Sequence, residues 1–96
     1  MTRRLSAAAA RAVIEAAERV KAPTWPEDNR WHVVSGGQVL VVIEPAYSGG
    51  RRAGWRYWLA DVGPGGNNRS WDTIDQAAAA GLGAWERWAT RPNRNR

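Results

Sequence analysis

The chain has 96 residues, no cysteine and one histidine, and its 14 Lys and Arg against 9 Asp and Glu give a net charge of +5. That length suits a single domain with a modest core. The missing cysteine excludes a disulfide framework and a thiolate zinc site, and it agrees with a cytoplasmic protein.

The start, MTRRLSAAAARAVIEAAERV, is basic, but Arg11, Glu15, Glu18 and Arg19 interrupt it, so neither a signal peptide nor a membrane span is expected. Residues 5–21 read instead as an amphipathic helix. Leu5, Ala9, Ala12, Val13, Ala16 and Val20 recur at steps of three and four. Ser6 or Thr2 can cap its start, and Ala22-Pro23 ends it, because the residue before a proline avoids the helical region. PTWPEDN is a connector. RWHVV-SGG-QVLVVIE reads as a β-hairpin turning at Gly36-Gly37, with Val34 facing Val39, Val33 facing Leu40 and Trp31 facing Val42. Residues 39–43 are apolar at every position, which predicts a strand covered on both faces.

PAYSGGRRAG reads as a loop and WRYWLAD as a third strand. In it Trp55, Tyr57 and Leu59 point one way, and Arg56, Trp58 and Ala60 the other. VGPGGNN is a turn-rich loop, and residues 69–71 are either a short fourth strand or the approach to the last helix. Thr73 and Gln76 match a capping box, so a helix runs from about residue 74 to 90 with Ile74, Ala77, Ala78, Gly81, Leu82, Trp85, Trp88 and Ala89 on its apolar side. Gly81 and Gly83 lower its propensity, which calls for close packing on the indoles of the sheet. The expected fold is α+β: an antiparallel sheet of three to four strands with an N-terminal and a C-terminal helix, in one domain over 1–90 with a basic tail at 91–96.

Little here suits catalysis. His32 lies in a predicted strand, and Ser35, three residues on, points to the other face. GPGGNNRS lacks the Gly-Lys-Ser/Thr of a phosphate loop. Glu27 and Asp28 stand just upstream of His32, but two acids in a proline-flanked connector read as solvated charge rather than metal ligands. No enzyme activity, cofactor or metal is expected.

Binding has more behind it. Residues 1–48 hold six basic and five acidic side chains, and residues 49–96 hold eight and four. A basic surface suits nucleic acid or an acidic partner, although a GC-rich coding sequence also writes arginine in excess of lysine. Seven tryptophans with no phenylalanine exceed what a small core needs. Arg51, Arg52, Arg56 and Arg69 around Trp58 form a candidate surface, with arginine forks for phosphate and an indole for stacking. The alternative places Trp58 in the core against the N-terminal helix, with Trp55 and Tyr57 against the C-terminal one. Trp85 and Trp88 with Glu86, Arg87 and Arg91 form a second candidate edge, for protein binding, against the alternative that tryptophans at this helical spacing are core.

From Trp55 to Trp88, the run WRYWLAD…RSWDTIDQAAAAGLGAWERW resembles the sheet-then-helix layout of Apetala-type and integrase-arm-type DNA-binding modules. The resemblance rests on that layout, the Trp71-Asp72-Thr73 junction and the Ala-rich helix start. In those modules a three-stranded sheet lies in the major groove, so the resemblance implies DNA or RNA binding through a basic aromatic surface. The preceding helix and the apolar strand at 39–43 depart from that pattern. In size and composition the chain is also similar, at the level of a class, to small accessory proteins of phages and mobile elements, anti-CRISPR proteins among them. The resulting expectation is a non-enzymatic protein that docks on and modulates a nucleic-acid-handling complex. Its partner would be a protein or ribonucleoprotein with an acidic or phosphate-bearing surface. Direct binding of DNA or RNA is the alternative, no membrane is involved, and a homodimer stays open.

Overall fold

The computed structural model describes residues 5–21, 30–64 and 69–91. In them the chain forms α1 (Ala7–Glu15), β1 (Glu18–Lys21), β2 (Trp31–Ser35), β3 (Gln38–Ser48), β4 (Arg51–Leu59) and α2 (Ile74–Thr90). The strands make one antiparallel sheet in the order β1-β2-β3-β4, so the fold is α+β with a helix at each end.

The first helix is shorter than its periodicity predicts. Ser6 caps it, its hydroxyl accepting from the Ala9 N–H at 3.1 Å, but the helix stops at Glu15, and residues 18–21 form an edge strand instead. A stripe made mostly of alanine gains little by extending as helix. As a strand, the same residues pair with β2, Arg19 opposite Val33 and Lys21 opposite Trp31. The charged ends of Arg19 and Lys21 then lie over the Trp31 ring at 5.5 and 5.9 Å. Arg19 also pairs with Asp75 at the start of α2. The Ala22-Pro23 stop, the PTWPEDN connector and Thr2 lie outside the described residues.

The β2–β3 hairpin turns at Gly36-Gly37, with φ of 58° and 80°. Val34 faces Val39 as expected, but then Val33 faces Val41 and Trp31 faces Ile43. The difference is a bulge in which Leu40 is the extra residue. A bulge sets two residues of one strand against one of the other, and Leu40 and Val41 enter the same buried cluster. This accounts for part of the unbroken apolar run at 39–43, and Val42 fills the outer face. α1 and α2 in fact pack on the same side. Ala10, Ala77, Trp85 and Ala89 share one cluster with Val33, Leu40, Val41 and Ile43. The Leu5 N–H donates to the Ala89 carbonyl at 3.0 Å, and the Ser35 hydroxyl donates to the Val13 carbonyl at 2.7 Å. Over residues 40–43 the strand is buried on both faces as its apolar run predicts, outer-face Val42 being 4% exposed, but no described helix packs on the outer face.

The predicted loop PAYSGGRRAG is a second correction. β3 continues to Ser48, turns at Gly49-Gly50 and returns as β4 from Arg51. Past Ile43 the two strands have left β2 behind and form a two-stranded arm. Pro45 is tolerated in this arm because its partner is Trp55. The Trp55 N–H and carbonyl both turn outward to Trp71, at 2.7 Å each, so the pair needs no N–H from the proline. That bridge is the whole of the suspected strand at 69–71; the fourth strand is β1, on the opposite edge. Gly54 makes the bridge possible. Its φ is +89°, and a Cβ there would stand 2.3 Å from the Trp71 carbonyl oxygen.

α2 runs as predicted. The Gln76 N–H donates to the Thr73 hydroxyl and the Gln76 side chain accepts from the Asp72 N–H, both at 3.1 Å. Gly81 does serve close packing, against Val41 and Tyr57 rather than indoles: a Cβ would lie 2.6 Å from Val41 Cγ1 and 3.3 Å from Tyr57 Cγ. Gly83 has no such neighbour.

Candidate binding surface

Alternation along β4 sorts the candidate residues. Trp55, Tyr57 and Leu59 pack on the helix-side core. Arg56 and Trp58 fall on the outer face, where Trp58 is opposite Val42 and Arg56 opposite Glu44. Trp58 is half-buried there and does not meet α1, which corrects that alternative; its indole N–H is buried without a partner among the described residues. Glu44 binds Arg56 at 2.7 Å and Arg30 at 3.4 Å. One carboxylate thus bridges two guanidiniums and leaves that cluster with a single excess positive charge. His32 stands in the same cross-strand row, between Val20 and Val42. Burial, and then the charge of Arg30, hold its pKa below the ordinary 6.5.

Arg51 and Arg52 are exposed at the root of the Gly49-Gly50 turn. Arg52 lies over the Trp55 ring at 4.4 Å, and no carboxylate pairs with either arginine among the described residues. Arg69 is exposed and lies over the Trp71 ring at 5.8 Å. Arg91 is spent on α2: it donates to the Trp88 carbonyl at 2.7 Å and covers that indole at 5.3 Å. Arg87 is exposed on α2. Trp85 is 4% exposed and belongs to the core, so it has no surface to offer a partner. Burial removes Trp85 from the predicted edge, leaving exposed Arg87 and half-buried Arg91.

Two cavities flank the passage of residues 69–71 beside β4. One, of about 440 Å³, lies between the arm and this segment and is lined by Tyr47, Ser48, Arg56, Arg69 and Ser70 among others. The second, of about 480 Å³, lies between the segment and α2, lined by Tyr57, Arg69, Trp71, Gly83 and Arg87 with two alanines. Arg69 borders both. No carboxylate lines either one among the described residues. Sequence reasoning missed Tyr47, which is 68% exposed, together with Ser48 and Ser70. The available signal was the pair Gly49-Gly50, which marks a tight turn as Gly36-Gly37 does.

Among the described residues no three His, Asp or Glu side chains gather as a metal would require, and no helix is long and apolar enough to cross a membrane. Glu27 and Asp28 lie outside the described residues, as does the tail beyond Arg91. Comparison with known proteins finds no matching family, no similar curated protein and no similar solved structure.

Proposed function

We propose that the chain is a small, non-catalytic binding protein that docks on a nucleic-acid-handling complex and modulates it, in the manner of an anti-CRISPR inhibitor or a similar phage accessory factor. The β3–β4 arm carries this reading. It extends past β2 and holds Arg51 and Arg52 exposed beside the exposed ring of Tyr47. Arginine and tyrosine together are the usual make-up of a binding hot spot. An arm with two unneutralised guanidiniums suits an acidic or phosphate-bearing surface on a protein or ribonucleoprotein.

The second reading, a DNA- or RNA-binding module, does not gain from the outer sheet face. Val34, Val39 and Val42 give it apolar side chains, and Arg56 is held by Glu44. What favours it is the position of Arg69 between two cavities.

The test is co-purification of nucleic-acid-handling complexes with the tagged chain, wild type against Arg51→Ala/Arg52→Ala. Both side chains are exposed, so the double variant should fold normally and lose the partner. Equal recovery by the double variant would remove the arm from the reading. Recovery of no protein, together with tight binding of bare DNA, would reverse the order of the two readings.

A further inference from the structure

We infer that the surface on either side of Arg69 holds a single strand of nucleic acid, with a phosphate over Arg69 and a base in each flanking cavity. This rests on the second reading above, a nucleic-acid-binding surface around Arg69, and it names the form of nucleic acid that surface meets.

The shape comes first. Residues 69–71 form a ridge, pinned to β4 by the two Trp55–Trp71 backbone bonds. A cavity of about 440 Å³ lies on one side and one of about 480 Å³ on the other. Both are at the small end of the range that takes compact ligands, which suits one base with its sugar. The ridge residue is an exposed arginine whose guanidinium lies 5.8 Å from the Trp71 ring. A ridge flanked by two pits favours a strand whose bases are unstacked. A duplex keeps its bases stacked inside and could offer this surface little beyond its phosphates.

The chemistry of the walls agrees. The first cavity has the hydroxyls of Tyr47, Ser48 and Ser70, which can both donate to and accept from a base edge. The second has the rings of Tyr57 and Trp71, 5.1 Å apart, and the guanidinium of Arg87. Aromatic rings beside arginines are what unstacked bases settle on.

Gly83 supplies an independent observation. Glycine in a helix interior is less favourable than any residue but proline. At Gly81 the packing demands it, but at Gly83 a Cβ would meet nothing nearer than Arg87 Nη1, at 3.6 Å. The fold therefore does not require glycine at this position. Its effect is to keep the wall of the second cavity low.

The experiment is a fluorescence-anisotropy titration at low salt with labelled oligothymidylate, run alone and annealed to oligoadenylate. The single strand should bind more tightly than the duplex and quench tryptophan emission. Arg69→Ala should weaken binding roughly tenfold or more. It should also reduce the log–log salt slope by about 0.7, the value for one phosphate of a single strand. Gly83→Ala should raise the unfolding midpoint while weakening binding severalfold, a combination that no loss of folding can mimic. No binding of the single strand up to about 100 µM protein would overturn the inference. So would equal affinity for the duplex, or unchanged binding in both variants. If these fail while Arg51→Ala/Arg52→Ala still loses the complex, the strand site falls and the arm stands; the opposite pattern removes the arm alone.

Discussion

The two faces of one sheet are built from alternate residues of the same strands, yet they differ in kind. On the helix side, Val33, Leu40, Val41 and Ile43 are buried under α1 and α2, joined by Trp85 and by the flanking rings of Trp31, Trp55 and Tyr57. On the outer side, Val42 stands in a row between His32 and Trp58, with no described helix over it, and Val20 at the end of that row is 38% exposed. A bridged carboxylate, Glu44, is tolerated beside them. The bulge at Leu40 sharpens the contrast by moving one more apolar residue to the helix side. The difference teaches that this domain keeps most of its stability on one face, which leaves the other face, the arm and the β4 edge freer to vary.

Substituting one indole from each face tests this directly. Trp85→Ala opens a cavity under α2 and should cost about 3–5 kcal/mol, read as a large drop in the urea midpoint. Trp58→Ala removes a half-buried ring that already leaves its N–H without a partner, and it should cost roughly 1–2 kcal/mol. Equal costs for the two would mean that the outer face is as much a core as the inner one. The cap of α2 comes next. Thr73→Ala removes the acceptor of the Gln76 N–H and should cost about 1 kcal/mol. Because the cap belongs to the covering helix, the loss should leave the outer-face amides of β3 and β4 unshifted in an NMR spectrum. Shifts spread across both faces would show that the faces are coupled.

How far the sequence foretold this depends on how local each signal is. The start of α2 was readable because a capping box is a local pattern, satisfied by residues three apart. The alternation in β4 was readable for the same reason. The strand at Glu18–Lys21 was not. Val20 follows Ala16 at a helical step, and only the tertiary contact of Arg19 and Lys21 with Trp31 argues for extension. The arm was hidden by Pro45, which reads as a strand breaker until Trp71 is seen to take the bonds on the far side of Trp55. The bulge was hidden because an unbroken apolar run has two explanations, a doubly covered strand or an extra residue, and local sequence does not choose between them. Of the candidate site, the arginines could be named from composition. Which are spent on Glu44 or Trp88 and which remain on the surface depends on contacts between distant segments.

The smallest effect expected is that of His32, and it probes how closed the outer face is. The folded protein holds this imidazole below its ordinary pKa of 6.5, first by burial and then through the charge of Arg30. The unfolded chain has neither influence, so just below the ordinary pKa it takes up the proton more readily than the folded one. Proton uptake by the unfolded state favours unfolding. The contribution of His32 is therefore intact above the ordinary pKa, declines as the pH falls through it, and stops declining once the pH is below the folded pKa as well. The urea midpoint should fall modestly between roughly pH 7.5 and 5.5, the range in which histidine is the one ordinary side chain expected to titrate. His32→Gln should flatten that fall. If the variant keeps the same slope, the imidazole is open to water and the row from Val20 to Trp58 is looser than its burial implies. A steeper wild-type slope in the presence of a bound partner would show that partner covering this row, and the outer face would then belong to the contact surface after all.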